Sequence, residues 1–131
     1  MTTLTPKQIQ ELEGQLKTRQ TQLLAEIRNE LAQSGDQHYI DLSGRVTDLG
    51  DESVADMLAD LEAAHLDRQI NDLRDIETAL ARIKAGEFGQ CAECGDEVAF
   101  NRLQAYPTAT RCIFCQEKHE KEYAGEGQHS L

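Results

Sequence analysis

Apolar residues along the first third of the chain recur at helical spacing. Ile9, Leu12, Leu16, Leu23, Leu24, Ile27 and Leu31 fall mostly three or four residues apart, with a polar gap around Arg19 and Gln20. Thr5-Pro6-Lys7-Gln8 reads as the start of this helix: Thr5 and Gln8 have capping-box spacing, and Pro6 takes the first helical position. Ser34-Gly35-Asp36 reads as its stop. A second stripe runs through Val54, Leu58, Leu61, Leu66, Ile70, Leu73, Ile76, Leu80 and Ile83. It predicts a helix that begins near Asp51 or Ser53 and ends at Ala85-Gly86, with glycine as the C-terminal cap. About 30 residues of helix make a rod of about 45 Å. Each helix has one apolar stripe, so the simplest way to bury both is an antiparallel coiled-coil hairpin. The stretch 33–52 is long for a hairpin connector. It contains Tyr39, Ile40, Leu42, Val46 and Leu49, and reads as an extension of the first helix by a few turns. Near the other end, Glu117–Tyr123 predicts a short helix and Gly125–Leu131 a frayed terminus.

Composition narrows the picture. The chain has 131 residues, which supports one domain and an extension. Aromatic residues make up 5% and Trp is absent, so a broad globular core is not expected, while a charged fraction of 28% with two prolines suits long solvated helices. The formal net charge is −11, which argues against sequence-independent binding to nucleic acid or to an anionic membrane. No apolar run approaches the ~20 residues of a membrane span, and Met1–Gln10 lacks the apolar stretch of a signal peptide. These features together predict a cytoplasmic, monomeric protein with no membrane association. Acid is unevenly placed: Val46–Leu80 holds ten acids against two bases, whereas residues 1–45 hold six against five. The second helix therefore presents a solvated acidic face. Acids near 46–53 would project from the end of the rod and suit a basic or metal-containing cavity on a partner.

All four cysteines fall between Cys91 and Cys115, as Cys91-x2-Cys94, a gap of 17 residues, and Cys112-x2-Cys115. Each C-x2-C turn offers two thiolates to one ion, and two such turns complete a tetrahedral shell. In a reducing compartment this spacing points to zinc rather than to disulfides. Gly95 follows the first pair, where a tight turn with N–H groups aimed at sulfur favours glycine. A closed four-thiolate shell leaves no position for substrate, so one structural Zn2+ is expected, its binding coupled to folding of a ribbon too small to have its own core. The predicted fold is mainly α: a long coiled-coil hairpin over 1–87, acidic near 46–53, then a small four-cysteine zinc ribbon and C-terminal helix over 88–131.

The residues around the ribbon resemble the DksA/TraR family of bacterial zinc-finger transcription factors. The resemblance is carried by Gly86-Glu87-Phe88-Gly89-Gln90-Cys91-Ala92-Glu93-Cys94-Gly95, by Asn101-Arg102-Leu103-Gln104-Ala105-Tyr106-Pro107-Thr108-Ala109 and by Arg111-Cys112-Ile113-Phe114-Cys115. Members of the DksA type carry D-x-x-D-x-A at the coiled-coil tip, and Asp48-Leu49-Gly50-Asp51-Glu52-Ser53 falls at that place, with Ser53 where the family has Ala. The resemblance implies direct binding to RNA polymerase. The hairpin would enter the secondary channel, with Asp48 and Asp51 near the catalytic centre, Ser53 shaping the tip, and open-complex lifetime altered. It also implies a segment ahead of the first helix that is shorter here or absent. Positions that the family fills with basic residues for the alarmone ppGpp align with Asp75, Tyr106 and Gln116, none of which offers a charge-assisted hydrogen bond to phosphate. A weak or absent ppGpp response is expected.

Other readings are less well supported. No nucleophile–base pair or Gly-rich phosphate loop is visible, so an enzyme is not expected. His65 reads as a helix-face residue, and His119, four residues after Cys115, as surplus to a complete thiolate shell. A zinc-ribbon adaptor docking another protein, or a thiol-based redox sensor, is the alternative reading. Sequence-specific DNA binding is disfavoured because residues 88–131 hold seven acids against four bases.

Overall fold

A computed structural model describes residues 4–46, 53–59 and 66–129, with side chains described as far as Glu122. Asp48, Asp51 and His65 lie outside the described residues. Six helices follow in order: α1 (Pro6–Ala32), α2 (Gln37–Arg45), α3 (Val54–Ala59), α4 (Asp67–Ala85), α5 (Phe100–Ala105) and α6 (Ile113–His129). Among the described residues, β pairing is confined to an isolated antiparallel bridge between Gln90 and Glu97.

The start of α1 follows from local chemistry. Gln8 donates its backbone N–H to Thr5 Oγ1 at 3.1 Å, and Thr5 donates its own to Gln8 Oε1 at 2.9 Å, which closes the expected capping box. The helix spans 27 residues and buries Leu12, Leu16, Leu23, Ile27 and Leu31. Those side chains join Ile70, Leu73, Ile76 and Ala79 of α4 in one core. Arg19 pairs with Asp72 at 3.9 Å, and Gln69 donates to Glu30 Oε1 at 3.0 Å. As numbering rises along α1 its partners fall along α4, so the two helices form an antiparallel hairpin. Arg19 also accounts for the polar gap in the stripe. Its ion pair is half exposed and adds little stability, so the apolar seam holds the hairpin.

Two segments depart from the expected rod. The connector does not extend α1. Gly35 takes φ 80°, a left-handed conformation that glycine adopts without steric cost, and Asp36 Oδ1 accepts the His38 N–H at 2.9 Å to cap a new helix. The resulting α2 packs against α1 and buries Leu42, with Val46 buried just beyond its end. Nor is the second helix continuous from Ser53 to Ala85. Ser53 Oγ donates to Glu77 Oε1 at 2.6 Å, and the N–H groups of Val54 and Ala55 donate to Glu77 Oε2 at 3.1 and 3.3 Å. A straight helix would hold residues 53 and 77 about 35 Å apart. Arg74 reaches Asp56 at 3.5 Å. Partners fall from 77 to 74 as α3 rises from 53 to 56, so α3 runs antiparallel to α4. Val54, Ala55 and Leu58 are buried in the shared core.

Glu77 thus caps α3 from a distant helix. Replacing it with alanine leaves two backbone N–H groups and a hydroxyl without their acceptor, at a cost of ~1–3 kcal/mol confined to α3. Hydrogen exchange is the measurement: amides of residues 56–59 should exchange at least ~10-fold faster in Glu77→Ala, with α1 and α4 unchanged. Equal protection in the two proteins would contradict this role.

Candidate metal centre

Helix α4 hands the chain to the ribbon through a tight cap. Gly86 takes φ 77°, Glu87 N–H donates to Arg82 O at 2.9 Å and Gly86 N–H to Ile83 O at 3.2 Å, a Schellman arrangement. Arg82 then turns its guanidinium forward, donating to the carbonyl oxygens of Glu87 (3.2 Å) and Gln90. Gly89 at φ 89° lies against the start of α1, where an added Cβ would meet Leu4 Cδ1 at 2.7 Å. A side chain there would be strained by the backbone conformation and would have to displace the Leu4 methyl. Phe88, Val98 and Leu103 are buried nearby and continue the hairpin core into the ribbon. Sequence reasoning missed Arg82 and the contact at Gly89. Their signal is faint: a base in the last helical turn, and a glycine two residues before a cysteine.

The first knuckle closes as Gly95, at φ 79°, donates its N–H to Cys91 O at 3.0 Å. The glycine's left-handed turn lets the N–H groups of Glu93 and Cys94 aim at the Cys91 sulfur, as the sequence predicts. The two knuckles are joined by Ala92 N–H on Thr110 O at 2.7 Å and by Arg111 Nε on Glu93 Oε1 at 2.7 Å. Arg102 Nε holds Arg111 O at 3.1 Å from below. The second knuckle runs into α6, where Gln116 N–H donates to Cys112 O at 2.9 Å. That helix begins at Ile113 and its backbone continues to His129, so it is both earlier and longer than the expected 117–123 helix and frayed tail.

These constraints bring all four cysteines together. The sulfurs of Cys91, Cys94, Cys112 and Cys115 lie within 4.8 Å of one another, and Cys94 and Cys112 are 3.7 Å apart. Four sulfurs at about 2.3 Å from a tetrahedral ion are separated by about 3.8 Å, so the cluster has the size zinc requires. Cys91 and Cys112 are buried, Cys115 is half-buried and Cys94 is exposed. Burial pushes the Cys91 thiol up, but N–H groups of Cys94, Cys112 and Glu93 aimed at its sulfur outweigh that effect and bring it down to about 6, against an ordinary 9.0. Neighbouring sulfurs, Cys94 foremost, hold Cys115 well above its ordinary value. Sulfurs packed this closely oppose one another's ionisation, and a dication relieves that repulsion.

The other predicted site residues lie elsewhere. Ser53 sits at the start of α3, where its hydroxyl also accepts the Asp56 N–H at 3.0 Å. Asp75 and Tyr106 line one pocket of about 390 Å³ between the hairpin and the ribbon. Gln116 is not part of that lining and bonds Glu120 Oε1 at 3.0 Å. Asp72 and Arg19 line the pocket too. Burial and the adjacent Asp72 hold the Asp75 carboxyl above its ordinary value.

Residues 86–121 match the family model described as the prokaryotic dksA/traR C4-type zinc finger. The chain is 34% identical over 104 residues to the RNA polymerase-binding transcription factor DksA of Escherichia coli strain K12, covering 75% of this chain and 69% of that protein. This chain belongs to the DksA/TraR family. It is also 38% identical over 74 residues to the DksA of Caulobacter vibrioides strain NA1000 / CB15N, a match spanning 56% of this chain but only 52% of the relative. Among solved structures, transcription factor DksA2 from Pseudomonas aeruginosa superposes with a TM-score of 0.62 at 26% identity, covering 91% of this chain and 88% of that one. The C4 finger match and the converging sulfurs establish one structural zinc as the family member's cofactor.

Zinc retention should depend on pH in a defined direction. Before metal binds, the Cys91 thiol is lowered to about 6 by the N–H groups aimed at it, so its thiolate is available to zinc at neutral pH. Protons compete with the metal for every thiolate ligand. Zinc content followed with a chromogenic chelator should hold at pH 7 and fall as the solution is acidified. Undiminished occupancy at pH 5 would contradict this reading.

Proposed function

We propose that this protein regulates transcription by binding RNA polymerase directly. The acidic segment 46–53 would enter the enzyme's secondary channel, where Asp48 and Asp51 act near the catalytic centre and change the lifetime of open complexes. The observation that carries this reading is the 34% identity to a protein named for polymerase binding, extending over 69% of its length. In chemical terms, two carboxylates three residues apart suit a basic channel that ends at bound Mg2+. The working units are a helical hairpin over 1–87 and a ribbon with its C-terminal helix over 88–131; the ribbon fixes the base of the hairpin. The role is non-enzymatic and cytoplasmic, exercised by a monomer without sequence-specific DNA contacts. Among the described residues no helix is long and apolar enough to cross a membrane.

Reaching into a narrow channel makes one demand on the fold. Segment 46–53 joins α2 to α3, and the start of α3 is held at Glu77 of α4. Presenting the segment at the end of a rod requires α3 to leave α4. The contacts given up are the Glu77 cap, the exposed Asp56–Arg74 pair and the burial of Val54 and Leu58. Binding to the channel would supply the compensating energy.

The test is binding of the zinc-loaded protein to core RNA polymerase, followed by transcription from several promoters. Saturable binding with altered open-complex lifetime supports the reading; no binding leaves an adaptor for another protein as the better account. A ppGpp titration has an equally definite expectation. Asp75 and Asp72 place negative charge in the junction pocket, and Arg19, its basic lining residue, is paired with Asp72. Polymerase output in the presence of this protein should not change with ppGpp through this pocket. Enhancement by ppGpp that disappears in Tyr106→Ala would contradict that.

A further inference from the structure

Of the residues that directly flank the four cysteines, only Glu93 and Arg111 carry charge. Glu93 precedes Cys94 in the first knuckle, and Arg111 precedes Cys112 in the second. Their side chains meet across the shell, with Arg111 Nε donating to Glu93 Oε1 at 2.7 Å, the length of a charge-assisted hydrogen bond. One residue back on each side, Ala92 N–H donates to Thr110 O, also at 2.7 Å. Arg102 of α5 holds the Arg111 carbonyl at 3.1 Å, so the Arg111 side chain starts from an anchored backbone. A surface ion pair usually adds little to stability, because solvent screens it and two long side chains lose freedom. This pair has a pre-positioned arginine, 30% exposed, and it ties together the two halves of a metal shell.

Exposure is uneven across that shell. Cys94 is exposed and Cys115 half-buried, whereas Cys91 and Cys112 are buried. A competing ligand therefore has its easiest approach at Cys94, and release of the ion requires the first knuckle to swing off the second. That motion breaks the Glu93–Arg111 bond along with the Ala92–Thr110 bond. We propose that the Glu93–Arg111 bridge is a clasp on the zinc shell, holding the knuckle with the exposed ligand against the buried one and so slowing loss of the ion. The clasp acts on metal retention alone, and its test does not depend on the polymerase reading. A simple effect of local charge makes the opposite demand. A carboxylate beside four thiolates would oppose retention and a guanidinium would favour it, so neutralising them would shift zinc loss in opposite directions. A clasp needs both partners, and neutralising either one speeds release.

The experiment uses the full chain carrying one zinc and follows transfer of the ion to an excess of chromogenic chelator. The expected result is ~3–10-fold faster transfer in both Glu93→Gln and Arg111→Gln, the range that one charge-assisted hydrogen bond supplies. The double variant should be no faster than the quicker single one, since the second change finds no bond left to break. Added salt should speed transfer from the wild type more than from either variant. Amide exchange gives a second readout with zinc still bound: the Ala92 N–H should exchange faster in both variants while α1 and α4 keep their protection, which separates an opened clasp from a lost fold. Opposite shifts in the two single variants would overturn the proposal and leave the charges as tuners of the local potential. So would wild-type rates in either variant, or effects that add in the double.

Discussion

Cys112→Ser should lose its zinc and, with it, the ordered structure of the ribbon, while the helical hairpin survives. The buried Cys112 sulfur accepts the Cys115 N–H at 3.5 Å and lies 3.7 Å from Cys94, so it sits at the centre of the cluster. Structural zinc sites supply an apparent ~10–16 kcal/mol to small domains, far beyond what the few buried ribbon side chains provide. Phe88, Val98 and Leu103 are the main apolar contributions there. The hairpin differs, because Leu12, Leu16, Leu23, Ile27 and Leu31 face Ile70, Leu73 and Ile76 without help from the metal. Metal analysis should fall from one zinc per chain to near none, and amide signals from 88–112 should collapse, while most helical circular dichroism remains. A Cys112→Ser protein that kept one zinc per chain would show that the ion is held by another donor set.

The second large effect concerns the acidic segment. Asp48→Asn with Asp51→Asn changes two charges and almost no volume. Binding to polymerase should persist, because the ribbon and the acidic face of the second helix are untouched. Promoter output should return close to that of polymerase alone. The physical reason is differential: carboxylates near a metal-containing catalytic centre alter its field, whereas amides of the same shape do not. Zinc content must be equal in the two proteins, since the segment is distant in sequence from every cysteine.

How much of this was legible in the sequence follows from the range of the interactions. The start of α1 is set by residues three apart, Thr5 and Gln8, and was readable outright. The Gly86 cap and the four clustered cysteines are equally local signals. The reversal of α3 against α4 was not readable, because it rests on Glu77 capping residues 22–24 positions away. A trace was present: the apolar stripe steps by five between Leu61 and Leu66, a break in helical phase. Gly35 and Asp36 were read as a stop but not as the beginning of α2, since a cap followed by so few apolar residues carries little periodicity. Phe114 would pass for a core residue by type; its exposure is a tertiary fact that only packing reveals. The site was thus legible where chemistry is local and dense, and obscure where one distant side chain decides.

The most direct measurement is the lifetime of promoter open complexes with saturating wild-type protein and with the Asp48→Asn/Asp51→Asn variant, at matched polymerase occupancy and zinc content. Altered lifetime with wild type and none with the variant is the predicted result. Equal effects from both proteins would remove the carboxylates from the mechanism and contradict insertion of the acidic segment as the source of regulation.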